Sequence, residues 1–78
     1  MLSAQEIESK IKTSLPTAQV VAKDLTGGGD HWQVEVVAEE FSGLNLVQQH
    51  QLIYKALGDW MKKEIHALAI NAREPSAQ

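Results

Sequence analysis

Hydrophobic positions change period along this chain, and each change marks an element. Ile7, Ile11 and Leu15 recur every four residues with polar positions between them, which is one narrow apolar stripe on a helix. Just upstream, Ser3 and Glu6 have the spacing of a capping box. The serine hydroxyl accepts from the Glu6 N–H, the Glu6 carboxylate accepts from the Ser3 N–H, and Leu2 and Ile7 stand where the accompanying hydrophobic staple packs. Pro16 has no N–H to continue the ladder, so the spacing predicts a first helix over about 4–15. Residues 19–25 are rich in β-branched side chains, and Trp32, Val34 and Val36 then alternate with Gln33 and Glu35, which predicts two strands. Thr26-Gly27-Gly28-Gly29-Asp30 joins them, so the pair reads as an antiparallel hairpin with a flexible glycine turn.

Phe41-Ser42-Gly43 breaks the second strand and Asn45 is placed to cap. Leu46, Val47, Ile53, Tyr54 and Leu57 follow at helical spacing with His50 in the same stripe, predicting a helix over 46–57. Gly58 interrupts that pattern, 59–63 reads as a short further helix, and 65–72 as a closing strand. The order is α-β-β-α-α-β, an α/β (α+β) domain in which helices cover one face of a three-stranded sheet. A single domain over 1–78 is expected, with an ordered core of about 3–74 and a polar tail at 75–78.

Composition narrows what such a domain does. At 78 residues it has little room for an enclosed substrate pocket, and 44% hydrophobic with 22% charged residues is the balance of an ordinary folded domain. No apolar run reaches the ~20 residues of a membrane helix, and the N-terminus lacks a basic region leading into an apolar one, so a cytoplasmic location and no membrane contact are expected. Ten acidic against seven basic residues give a net charge of −3, the wrong sign for general attraction to phosphate backbones.

The chemistry on offer is sparse. With no cysteine the chain supplies neither a thiolate nor a disulfide, and His31, His50 and His66 are its best soft-metal ligands. No serine stands in a nucleophile pattern with a base and orienting acid, so no enzyme is expected. Gly27-Gly28-Gly29 leads into a strand, and no Lys-Ser/Thr follows, so a hairpin turn fits it better than a phosphate cradle. His66 shares a strand face with Leu68 and Ile70, either as a histidine at the edge of the core or as a ligand or acid-base group. His50 reads as a packed or capping histidine. His31 stands beside Asp30 at the mouth of the glycine loop, either as an ordinary surface histidine or with a ring nitrogen turned to something outside the chain. Lys55, Lys62, Lys63 and Arg73 are the basic residues a nucleic acid would use, and a solvated face is the favoured reading of them. Trp32 and Trp60 each sit among apolar neighbours and read as packing residues.

Together, His31-Trp32-Gln33-Val34 with Val36-Val37, Phe41-Ser42-Gly43, Tyr54-Lys55-Ala56-Leu57, and Ile65-His66-Ala67-Leu68-Ala69-Ile70 with Pro75 closely resemble the BolA family, over roughly residues 7–75. The Ile-His-Ala-Leu strand and the Phe-x-Gly break are the specific parts. The resemblance implies a KH-like fold of the second topology. It also implies partnership with a monothiol glutaredoxin in iron–sulfur cluster handling, as a heterodimer, with a homodimer as a further state. The histidine matched by His66 is a cluster ligand in that family, and His31 is the candidate for a second ligand in the hairpin loop. A 2Fe–2S cluster takes four ligands, usually thiolates, so a glutaredoxin cysteine and a glutathione thiol would complete the set, and the chain alone would hold no cofactor. The family is also described as transcriptional regulators, which implies DNA as an alternative partner. Here the chain departs from the family: Gln49-His50-Gln51 stands where Arg-His-Arg is frequent, and no Gly-x-x-Gly clamp for phosphates lies between the helices.

Overall fold

The computed structural model describes residues 2–62, 65 and 67–75. Helix α1 (Ala4–Ser14) begins with both halves of the expected capping box, Glu6 N–H to Ser3 Oγ at 3.1 Å and Ser3 N–H to Glu6 Oε1 at 2.8 Å. Ile7 and Ile11 are its buried stripe, and the Leu15 N–H closes the last turn on the Ile11 carbonyl just before Pro16.

Strand β1 (Gln19–Asp24) pairs antiparallel with β2 (His31–Val37), from Gln19 opposite Val37 to Asp24 opposite Trp32. Strand β3 (Ala67–Arg73) lies on the other side of β2 and runs parallel to it, from His31 opposite Ala67 to Val37 opposite Arg73. The sheet is therefore mixed, in the order β1-β2-β3. A parallel pair needs a crossover. A 3-10 turn at Glu39–Phe41, helix α2 (Leu46–Leu57) and a second 3-10 turn at Gly58–Met61 supply it. The third helix expected from the sequence is thus a single tight turn, and the Ile65 N–H closes back on the Trp60 carbonyl at 2.7 Å.

Both helices lie on one face of the sheet. Period-two alternation puts Val20 and Ala22, Trp32, Val34 and Val36, and Ala72 on that face, and they are buried with Ile7, Ile11, Phe41, Ile53 and Leu57. Among the described residues no helix lies over the opposite face, and there His31, Gln33 and Glu35 are half-buried while Ala67, Ala69 and Asn71 are exposed.

Helix α2 has the expected bounds, but its buried stripe is rotated from the one the sequence suggests. Gln49, Ile53, Ala56 and Leu57 stand at i, i+4, i+7 and i+8 and are buried, whereas Leu46 and Val47 are 63% and 65% exposed and Tyr54 is 43% exposed. Gln49 holds a core position because its amide donates to the Leu44 carbonyl at 2.9 Å, satisfying the loop that leads into the helix. His50 is half-buried beside this stripe.

Candidate functional site

The end of the sheet where β3 begins carries the hairpin loop, and that loop is cross-linked. The Asp24 carboxylate accepts from three backbone N–H groups, those of Thr26 at 3.3 Å and Gly27 at 2.9 Å through Oδ1 and that of Gly29 at 2.9 Å through Oδ2. From the other side, the buried Trp32 indole donates to the Gly29 carbonyl at 2.9 Å. Gly29 holds a φ of 78°, a conformation L side chains rarely adopt, which is why glycine stands there. The flexible turn expected from three consecutive glycines is in fact a tethered one. Sequence hydropathy did not reveal this, because the tethers are one carboxylate and one indole N–H. The signal available was Asp24 just ahead of a turn, since aspartate side chains bond the backbone of following residues.

The loop is also tied to β3. Asp30 contributes its backbone carbonyl to the Ala67 N–H at 3.2 Å, and the His31 carbonyl accepts from the Leu25 N–H at 2.8 Å. His31 opens β2, with its side chain 37% exposed and Nδ1 2.9 Å from Asp30 Oδ1. The contact joins a ring nitrogen to a carboxylate oxygen, and the tautomer of the ring sets which of them donates. In register with His31 across the parallel pair is Ala67, on a strand spaced ~4.8 Å away, and Ala67 follows His66 in the chain. His66 and Lys63 themselves lie outside the described residues.

Among the described residues no group of three or more His, Cys, Asp and Glu side chains could hold a metal ion, so their contribution at this end is one imidazole oriented by one carboxylate. Three of the basic residues named from the sequence, Lys55, Lys62 and Arg73, are among the described residues. Lys55 stands in the last turn of α2 and Lys62 just after the second 3-10 turn, both exposed. Arg73 ends β3, ~20 Å along the strand from Ala67, where its carbonyl meets the Ala38 N–H near the entry to α2. No helix among the described residues is long and apolar enough to cross a membrane.

Comparison with known proteins decides the family. The family model for BolA-like proteins matches residues 4–77. The chain belongs to the BolA family. Protein BOLA2 of Arabidopsis thaliana is 34% identical to it over 79 aligned positions, covering 100% of this chain and 84% of the relative. A bolA homologue from Coxiella burnetii superposes with a TM-score of 0.81 at 33% identity, covering 96% of this chain and 94% of the other. BolA1 from Arabidopsis thaliana superposes with a TM-score of 0.84 at 28% identity, over 100% of this chain and 99% of that one. The α-β-β-α-β order with a three-stranded mixed sheet is accordingly the BolA fold, and its parallel β2–β3 pair is what brings the hairpin loop of this BolA protein to the start of β3.

Proposed function

We propose that this BolA-family chain is a non-enzymatic accessory protein that binds a monothiol glutaredoxin and shares a 2Fe–2S cluster with it. Its role would lie in iron–sulfur cluster assembly or trafficking, or in iron and redox regulation. The observation that carries the reading is the register of His31 with Ala67, the residue after His66, at an end of the sheet where His31 is part-exposed. His31 of β2 and His66, which precedes Ala67 in the chain, would together make half of a cluster's ligand set.

The donor chemistry supports the same division of labour. A chain without cysteine can offer a cluster only imidazoles, and the thiolates then come from a glutaredoxin cysteine and a glutathione thiol. Mixed Cys/His ligation raises the potential relative to all-thiolate ligation, as in Rieske centres. The cluster is cargo held between two proteins, and the role of this chain is to present ligands from one end of its sheet.

The test is visible circular dichroism of a glutathione-bound 2Fe–2S monothiol glutaredoxin titrated with wild type, His31→Ala and His66→Ala. The expected outcome is a new spectrum saturating at one-to-one with wild type, lost in His66→Ala and weakened in His31→Ala. A titration with wild type that leaves the glutaredoxin spectrum unchanged would overturn the proposal.

A further inference from the structure

We propose that Asp30 is a positioning residue that holds the proton of His31 on Nδ1, so that Nε2 is the atom through which His31 meets a metal. This rests on the cluster-sharing reading above and specifies the chemistry of one of its ligands. Asp30 and His31 are neighbours in the chain, and a carboxylate beside an imidazole in sequence does not by itself make a bond. Here the two residues stand side by side at the start of β2, and the backbone that carries them is held from both sides: the Asp30 carbonyl accepts from the Ala67 N–H and the His31 carbonyl from the Leu25 N–H.

The side-chain contact is Nδ1 to Oδ1 at 2.9 Å, with the Thr26 hydroxyl 3.5 Å from the same oxygen. Space for that carboxylate is provided by Gly28. A Cβ at position 28 would lie 3.2 Å from Asp30 Oδ1, tighter than ordinary contact, so a side chain there would press on the atom that meets the ring. Gly28 thus stands against the carboxylate, between Gly27 and Gly29, which have positive φ.

The consequence is a choice of tautomer. Neutral imidazole has one N–H and one lone pair, and a ligating histidine characteristically donates its other N–H to a carboxylate or carbonyl, which fixes the ring and raises its basicity. With the Nδ1 proton held by Asp30, the lone pair is on Nε2.

The experiment has two arms. In the first, 15N long-range correlation spectra of the apo protein above the imidazole titration range report the His31 tautomer in wild type, Asp30→Ala and Asp30→Asn. Wild type is expected to show protonated Nδ1. Asp30→Ala is expected to move the ring toward protonated Nε2, and Asp30→Asn, whose carbonyl oxygen still accepts, to restore the wild-type pattern. Unchanged backbone shifts at Leu25 and Ala67 in the variants show that the loop is intact. A wild-type ring protonated on Nε2, or a tautomer indifferent to Asp30→Ala, overturns the proposal.

In the second arm, the reduced cluster shared with a glutaredoxin is examined by pulsed electron paramagnetic resonance with histidine labelled at Nε2. Strong coupling to the label in His66→Cys, where His31 is the only one of the two histidines left, supports Nε2 coordination. Coupling only to the unlabelled nitrogen overturns it. A cluster never shared by wild type, with the first arm as expected, overturns the cluster reading and the coordination half of the proposal together. A shared cluster with a tautomer indifferent to Asp30→Ala overturns the proposal and leaves the cluster reading standing.

Discussion

Trp32 shows how one residue serves both core and loop. Its ring is 2% exposed among the helix-facing residues of β2, and its N–H is the donor that holds the Gly29 carbonyl. Phenylalanine would keep most of the ring burial and lose the donor. Removing one partner of a buried hydrogen bond costs about 1–3 kcal/mol, because the group left behind has lost its water as well. Trp32→Phe is therefore expected to lower the unfolding free energy read from urea melts by that amount and to speed amide exchange at Gly27, Gly29 and Ala67 more than in α1. Exchange that rises uniformly over the chain would place the loss in packing rather than in the loop. The sequence identified Trp32 as a packing residue from its period, but it could not show the indole bond, because hydropathy does not register a single polar atom on an apolar ring. Asp24 was hidden for a related reason: its role depends on where the backbone N–H groups of the turn point.

At the scale of elements, the turn between α1 and β1 is clamped to the 3-10 turn before α2. The Thr17 hydroxyl donates to a Glu40 carboxylate oxygen, the Thr17 N–H lies 3.4 Å from the other, and the Glu39 N–H donates to Thr17 Oγ1 at 3.2 Å. The Thr17 hydroxyl, opposed in part by loss of water, holds the Glu40 carboxyl below its usual value of 4.5. A carboxyl depressed in the folded chain contributes stability that is fully present above its unfolded value and is lost as pH falls through the folded one. Urea melts taken downward through the carboxylate range are thus expected to show a falling midpoint in wild type and a shallower fall in Glu40→Gln. Parallel pH profiles for the two proteins would count against the clamp. Elements with a purely local signal were legible in the sequence: the Ser3–Glu6 box, the Asn45 cap, the bounds of α2 and the hairpin. Those that depend on distant partners were not. The stripe of α2 reads from Leu46 and Val47, yet it is anchored at Gln49, whose polar side chain is buried because the Leu44 carbonyl needs it. The run 59–63 reads as helical from its sequence, and over the described residues it is the 3-10 turn Gly58–Met61.

For the whole molecule, the core and the candidate site are separable, and this decides how any loss of cluster binding is to be interpreted. The largest fully buried side chains, among them Phe41, Ile7, Ile11, Ile53 and Leu57, lie between the helices and the sheet, whereas His31 stands at one end of the sheet on the half of β2 that the helices do not cover. Ile53→Ala would open a cavity in that core at a cost of about 2–5 kcal/mol. Against a total stability of about 5–15 kcal/mol, with so small a domain at the lower end, that is a large fraction. His31→Ala removes a part-exposed side chain whose contact with Asp30 lies near the surface, and substitutions of that kind fall within about 0.5 kcal/mol. Urea denaturation of the two variants beside wild type is expected to give a much lower midpoint for Ile53→Ala and a nearly unchanged one for His31→Ala. If His31→Ala unfolds as early as Ile53→Ala, the hairpin end is part of the stabilising core, and a lost cluster spectrum in that variant would report unfolding rather than a missing ligand. If the midpoints separate as expected, a folded His31→Ala protein that fails to take up a shared cluster loses it through the imidazole.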